Sequence, residues 1–183
     1  DNTVVSALVD KTISFTVDDT EVVKIDADGL TAPTYLLDDG SELNHPVART
    51  AVGTAYALTA TSAALDFGTT DPSITIDKAG TYLLLGRVNL KYNAATFAAS
   101  STATLKLRRT NNTAADVTNG STAVATDIIT TITALFGIIT LPPVLYVTPR
   151  TDDVVTIFGN VSVVPTAGSL DATEASIIAI RLY

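Results

Sequence analysis

Strict alternation of apolar and polar residues is the clearest signal in this chain. From Thr12 to Val17 every second residue is apolar: Ile13, Phe15 and Val17. Across Tyr82–Tyr92 the even positions are Tyr82, Leu84, Gly86, Val88, Leu90 and Tyr92, and the odd positions include Arg87, Asn89 and Lys91. Successive side chains of a strand point to opposite faces, so this two-residue period predicts sheets with an inward and an outward face. The first half of the Tyr82–Tyr92 stretch is apolar on both faces, which predicts cover from another subunit at that end. Further strands are predicted near Ala55–Thr59, Ala63–Phe67, Ser73–Ile76, Thr102–Arg109, Ala123–Thr133, Ile138–Val147, Asp153–Val164 and Ala175–Tyr183. Gly, Asn and Pro turns separate them, the pattern of a sandwich or barrel. No helix start signal leads into a sustained 3.6-residue period. Asp127–Phe136 comes nearest, but its Ile-Ile-Thr-Thr-Ile-Thr run is β-branched and favours strand.

The pattern changes near Pro46, which predicts two parts: residues 1–46 and residues 47–183. In the first, short strands at Thr12–Val17 and Glu21–Ile25, and the apolar Tyr35-Leu36-Leu37, alternate with the acidic turns Asp18-Asp19-Thr20, Asp26-Ala27-Asp28-Gly29 and Asp38-Asp39-Gly40-Ser41. Asp bonds nearby backbone in such turns and Gly supplies positive φ. A segment this small holds no core alone, so it reads as a stalk or docking arm stabilised by partner chains. From Ala51 onward the spacing is that of one sandwich domain.

Composition sharpens this picture. The chain has 183 residues, no Cys, and a formal net charge of −8. Thr, Ala, Val, Ile and Leu dominate, a balance that favours sheet over helix. Only 16% of residues are charged, below the usual quarter, which fits a particle surface or large subunit contacts. The absence of Cys excludes disulfides and thiol chemistry. The one basic cluster is Lys106, Arg108 and Arg109, too small a footprint for nucleic acid. No apolar run is long enough to predict a membrane-spanning helix, and no signal peptide is visible. The absence of Met predicts a trimmed start.

Candidate chemistry is sparse. His45 is the single histidine, in a linker-like Leu43-Asn44-His45-Pro46 context, without the partners that a catalytic or metal site demands. The turns at Asp26–Gly29 and Asp38–Glu42 carry oxygen ligands suited to calcium, but turn chemistry accounts for them and the full calcium-loop pattern is absent. A glycosidase needs two carboxyl groups roughly 5–9 Å apart. Acidic residues here sit in turns, with Asp66 and Asp77 the nearest to exceptions. No phosphate loop or nucleophile elbow is present. Asn111-Asn112-Thr113, Asn119-Gly120-Ser121 and Asn160-Val161-Ser162 match the glycosylation pattern, as chance predicts in a Thr- and Ser-rich chain. The expectation is therefore a non-enzyme with no catalytic residues, no cofactor and no metal.

Two stretches resemble known families. Ser14–Leu30, with its strand, Asp19-Thr20-Glu21 turn, Val22-Val23-Lys24-Ile25 strand and Asp26-Ala27-Asp28-Gly29 turn, resembles a module of tailed-bacteriophage fibres. Asp19 stands where that module often has Gly, and Thr31-Ala32-Pro33-Thr34 replaces its usual continuation. Residues from about 51 to 183 resemble the C1q/TNF-like jelly roll. The matching residues are Phe67, Ala79-Gly80-Thr81-Tyr82-Leu83-Leu84, the pair Leu141–Val147 and Thr151–Ile157 around an acidic turn, and the closing strand Ala175–Tyr183. Leu84 stands in place of that family's Phe and Gly86 in place of an aromatic. The resemblance implies an all-β, jelly-roll β-sandwich head, preceded by a short β-rich stalk, assembled as a homotrimer with both termini at one end. It further implies a structural virion protein on the capsid or tail surface: a fibre or knob for host attachment, joined to other virion proteins through its N-terminal segment. The alternatives are a capsid decoration (cement) protein without a receptor and a secreted C1q-like lectin. Partners are thus other copies, virion proteins and a host cell-surface glycan, with no nucleic acid and no membrane insertion. Counting strands back from the C terminus places the loops Tyr92–Ser101 and Pro165–Thr173 distally, with Tyr92, Asn93, Ser100, Ser101 and Asp171 as receptor contacts. Thr110–Asn119 falls near the base.

Overall fold

The computed structural model describes residues 4–7, 13–17, 20–26, 29–31, 47–68, 70–126 and 132–182, those before Val47 and 132–135 by their backbone alone. The chain divides into two compact units, Asp1–Asn44 and His45–Tyr183. The first contains an antiparallel meander of β1 (Val4–Ala7), β2 (Ile13–Val17), β3 (Thr20–Asp26) and β4 (Gly29–Thr31), in that spatial order. Ile13 lies opposite Ile25, and Ile25 opposite Leu30. Ile13–Val17 and Glu21–Ile25 form strands where the alternation placed them, and β1 adds one that the pattern did not announce. His45, the Tyr35–Leu37 stretch and the acidic turn at Asp38 lie outside the described residues.

In the second unit β5 (Val47–Ala57), β6 (Ala63–Ala64), β7 (Ser73–Ile76), β8 (Gly80–Thr96), β9 (Thr102–Arg109), β10 (Ala115–Ala125), β11 (Ile132–Thr148), β12 (Asp153–Val161) and β13 (Ala167–Arg181) form two sheets. One has the order β11-β8-β13-β5. The other has the order β10-β9-β12-β6, with β7 also on β12. The pairings nest: β5 with β13, β6 and β7 with β12, β8 with β11, and β9 with β10, all antiparallel. First-with-last pairing of this kind is a jelly roll, in which two Greek keys wrap one core. The unit is an all-β two-sheet sandwich, as the alternation predicted.

Inward positions of both sheets supply the core. Leu84 and Val88 of β8, Leu105 and Leu107 of β9, Leu141 of β11, Ile157 of β12 and Ile177 of β13 are all fully buried. Gly86 leaves room for this packing. A Cβ there would come within 3.1 Å of Leu141 Cδ1, so Leu141 fills the space that an aromatic at position 86 would take. Leu141 closes the first half of β11, where the register slips before Val144. Pro142 and Pro143 sit in this slip. Proline cannot donate to a ladder and is tolerated at bulges and edges, and β11 is an edge strand. The bulge also blunts that edge against uncontrolled pairing.

Several predicted boundaries need correction. β5 runs from Val47 to Ala57, not Ala55–Thr59. The strand expected at Ala123–Thr133 is the end of one strand and the start of the next. A continuous run of β-branched residues hid the break at Thr126, whose backbone N–H bonds Ser101 O at 2.7 Å. Residues 115–119 belong to β10 and not to the expected Thr110–Asn119 loop. That part is a bulged edge, with the register slipping between Asp116 and Ser121 and Asn119 at φ 60°. β13 starts eight residues before the expected Ala175: Gly168 and the small polar residues Ser169, Asp171 and Thr173 have the composition of a turn, although Leu170 and Ala172 alternate with them.

The register fixes which loops share an end. Val47 lies opposite Ala179 and Gly80 opposite Thr148, so the unit's first and last strands begin and finish together. Residues 77–79, 110–114 and 149–152 join strands at this end. Residues 58–62, 97–101 and 162–166 join them at the other. Strand counting placed Tyr92–Ser101 and Pro165–Thr173 distally and Thr110–Asn119 near the base. The connections 97–101 and 162–166 do share one end and 110–114 the other, but 92–96, 115–119 and 167–173 are strand.

Candidate functional site

The five residues expected at the distal tip fall into three groups. β8 continues to Thr96, which places Tyr92 and Asn93 inside a strand, opposite Leu170 and Ser169 of β13. Tyr92 is half-buried and its ring meets Phe97 edge-on, centroids 6.4 Å apart. Burial raises its hydroxyl pKa above the ordinary tyrosine value. It is a packing residue more than an open aromatic platform. Ser101 is buried, and its Oγ donates to Val163 O at 2.8 Å and accepts from Val163 N at 3.1 Å. Asp171 lies within β13, opposite Lys91, and is also buried. Asn93 and Ser100 are exposed. The structure therefore brings Tyr92, Asn93 and Asp171 together on two paired strands, while Ser101 stitches the β8–β9 connection to the β12–β13 connection.

Polar side chains are concentrated at the opposite end. Asp153 opens β12 and is fully buried, a position that requires its carboxylate to be satisfied. Its Oδ2 accepts from Tyr146 Oη at 2.8 Å and from Thr148 Oγ1, and its Oδ1 accepts from Asn112 Nδ2 at 3.2 Å. Arg109 Nη1 stands 3.8 Å away. Burial by itself drives the Asp153 pKa up, but the bonds from Thr148, Tyr146 and Asn112 and the Arg109 charge outweigh it, leaving it below the ordinary carboxylate value. Tyr146 moves the other way, raised first by burial and then by its bond to Asp153. Neighbouring Asn111 accepts from Val154 N at 2.7 Å and donates to Asp152 O. Together these bonds tie the β9–β10 connection to the β11–β12 turn. Thr151-Asp152-Asp153 has the composition of an acidic turn, and no local signal marks Asp153 as buried.

The basic cluster is likewise spent within the fold. Asp116 accepts from Lys106 Nζ at 2.8 Å and from Arg108 Nη1 at 2.9 Å, and these partners, the Lys106 hydrogen bond first, hold its pKa down. Arg108 also lies over the Phe158 ring. Arg109 donates through Nε and Nη2 to Thr113 O.

One surface stands apart. Among the described residues the most exposed large apolar side chains are Phe136, Ile138, Leu145 and Val147, each 65–69% exposed, and all four belong to β11. They point away from the core, on the outer face of the β11-β8-β13-β5 sheet. Leu83, Leu85, Ile178 and Ile180, half-buried, continue this apolar surface across β8 and β13. A polar island interrupts it. Arg87 Nη2 meets Glu174 Oε1 at 2.7 Å, Arg87 Nε donates to Ser176 Oγ at 3.0 Å, and Asn89 Nδ2 donates to Glu174 Oε2 at 3.2 Å. Scattered apolar residues are normal on a surface, whereas a contiguous group marks an interaction site. The expectation of cover along the first half of β8 meets this surface, but its densest part on β11 was missed. Apolar residues on both faces of Phe136–Val147 were the available signal.

No protein-family model matches this chain, and no curated protein matches it. Solved structures give distant likenesses. The globular domain of zebrafish complement 1qA is 10% identical, with a TM-score of 0.47, over 77% of this chain and 98% of that one. The VP2 subviral particle of infectious bursal disease virus is 13% identical, with a TM-score of 0.46, over 96% of this chain and 46% of that one. A Gx-strain structure of the same virus is 12% identical, with a TM-score of 0.43, over 97% and 47%. This chain thus spans just under half the length of the viral chains. The nested strand pairing identifies the jelly roll independently of them.

Two hollows lie on the surface of the second unit. One, about 480 Å³, is lined by Arg49, Asp66, Gly68, Thr70, Asp71 and Ser73. Asp66 there accepts from its own turn, Gly68 N, at 2.7 Å, and Thr70 Oγ1 bonds both backbone groups of Val52. The other, about 340 Å³, lies between β10 and β11, with Leu145 and Val147 on its wall. Among the described residues no three His, Asp or Glu side chains converge as metal ligands do.

Proposed function

We propose that this chain is a non-enzymatic structural protein of a virion, a trimeric fibre head or knob of a tailed phage that serves attachment to the host surface. The observation that carries this reading is the largely apolar outer face of one jelly-roll sheet, with Phe136, Ile138, Leu145 and Val147 exposed on its edge strand. Such a face suits permanent contact with identical copies, and closed symmetric assembly is the usual outcome. Support also comes from the strand ends. With Val47 and Arg181 at one end of the sandwich, the preceding segment acts as a stalk and anchors to other virion proteins, while the opposite loops face outward. Three copies of weak tip contacts, such as Asn93 and Ser100 with a host glycan, gain avidity from the linkage. Arg87, Glu174, Lys106, Arg108, Asp116, Arg109 and Asp153 are engaged in structural pairs, which supports display over catalysis.

Multi-angle light scattering on the purified chain is expected to give about three times its 19.0 kDa mass. A monomer at micromolar concentration rejects the trimer. Immunogold labelling of phage particles should decorate a tail fibre or capsid projection, and no labelling of particles rejects the virion role. Incubation with host capsule should leave the polysaccharide chains at full length. Shortened chains would replace display with enzymatic depolymerisation.

A further inference from the structure

We propose that Asn119-Gly120 is a site of spontaneous covalent modification, at which the asparagine loses its side-chain nitrogen as ammonia and becomes aspartate or isoaspartate. The chemistry takes water as its only co-reactant and requires neither a trimer nor a receptor.

Three observations converge on this dipeptide. β10 is an edge strand of its sheet and carries a bulge: Asp116 faces Arg108 and Ser121 faces Lys106, so Val117–Gly120 stand opposite Leu107 alone. Asn119 lies in this bulge at φ 60°, exposed, and its side-chain amide has no hydrogen bond among the described residues. Its successor is glycine, so no side chain shields the backbone nitrogen that must attack. The other described asparagines lack this combination. Asn111 bonds Val154 N and Asp152 O, Asn112 donates to Asp153, and Asn89 donates to Glu174. Asn93 is exposed, but Ala94 follows it, and β11 and β13 pair with it on both sides. Asn160 lies inside β12, opposite Thr104, and precedes the β-branched Val161.

The step balances with water alone. Gly120 N gives up its proton and bonds to Asn119 Cγ. The bond from Cγ to the side-chain nitrogen breaks, and ammonia leaves with a proton. Water then opens the five-membered imide at one of its two carbonyls. One opening restores the ordinary backbone with aspartate at 119. The other routes the backbone through the side-chain carbon and lengthens it by one methylene. Both products add one negative charge, but they load the fold differently. Gly120 is buried, and a Cβ there would lie 3.1 Å from Val117 O and 3.2 Å from Leu107 Cβ. An ordinary aspartate tolerates the left-handed backbone as asparagine does, and leaves Gly120 in place. The lengthened linkage pushes Gly120 off Leu107, a fully buried core residue, so this product alone loosens β10.

The test incubates the folded full chain at mildly alkaline pH and maps it by proteolysis and mass spectrometry. A gain of one mass unit is expected first in the peptide that carries Asn119. A methyltransferase specific for isoaspartate should label the same peptide. Peptides carrying Asn93 and Asn160 should keep their mass over the time in which half of this one converts. Asn119→Gly, which suits the left-handed backbone, and Asn119→Gln, whose longer side chain closes a ring poorly, should each abolish the new acidic species on ion exchange. The isoaspartyl form should melt at least about 2 °C below the unaltered chain, and Asn119→Asp within about 1 °C of it. Conversion that begins at another asparagine, or that reaches Asn119 only in denaturant, overturns the site. An acidic species that persists in both variants overturns it as well. Equal melting of the isoaspartyl form and Asn119→Asp overturns the loosening of β10 and leaves the site standing.

Discussion

Replacing Asp153 with Ala is expected to cost about 3–5 kcal/mol of folding stability, the range for removing one member of a buried charged pair. The carboxylate is fully buried and is the shared acceptor for Tyr146, Thr148 and Asn112, with Arg109 nearby. Its removal leaves several donors without a partner in a site that water does not reach, and each unmade bond carries its desolvation cost. Asp153→Asn rescues little, because its amide donors would face the donors of Asn112 and Arg109. Denaturant titration should show a lower midpoint with an unchanged slope. A loss under about 1 kcal/mol would mean the network is incidental to stability.

The same residue sets the acid limit. Its folded pKa lies below the ordinary value of 3.8. The unfolded chain therefore binds a proton first as the pH falls, and stability is lost from that value down through the folded one. Above the unfolded pKa the contribution is complete. Asp116 shifts in the same direction through Lys106 and Arg108, but its exposure makes it the smaller contributor. Stability should be level from neutral pH to about pH 5 and fall below about pH 4. Asp153→Asn should flatten that acid limb. A limb equally steep in the variant would assign acid sensitivity elsewhere.

Gly168→Ala is the second large effect, expected to destabilise by about 2–4 kcal/mol, from left-handed backbone strain and overpacking together. Gly168 has φ +66°, and a Cβ there would lie 2.3 Å from both Asn93 O and Ala94 O. These are backbone atoms of the facing strand, so no rotamer change relieves the clash. The residue sits at a register slip, where Ala167 faces Thr96 and Ser169 faces Asn93. One residue of β13 thus spans two of β8. Relief requires pulling β8 and β13 apart at their tip end. A fall in Tm on the order of 10 °C is expected. Gly137→Ala provides the contrast. Nothing approaches its Cβ within 4 Å, so its Tm should stay within about 2 °C. Equal behaviour of the two would show that β8 and β13 yield freely at this point.

Strand positions were legible wherever one face is buried and the other wet. Ser73–Ile76 and Thr102–Arg109 match the observed strands to the residue, because alternate burial enforces alternate chemistry. Legibility failed where a strand is made of turn-forming residues. β13 begins with small polar residues held by pairing with β8, and β10 begins with a bulge whose Gly120 packs under Val117 and Leu107. Of the residues expected at the tip, Asn93 and Ser100 are exposed, whereas Ser101 and Asp171 are buried. The difference lies in partners more than 60 residues away for Ser101 and on two flanking strands for Asp171.

Local order alone determined that this chain forms sheets, where most of its turns fall and how its inward residues alternate, since the two-residue period is a property of the backbone at each position. Only the folded arrangement decided which charges are buried, which apolar residues are left outside and where an added methyl group collides. Asp153, the β11 stripe and Gly168 each owe their roles to distant segments brought alongside, and such contacts are set by how strands nest into a jelly roll.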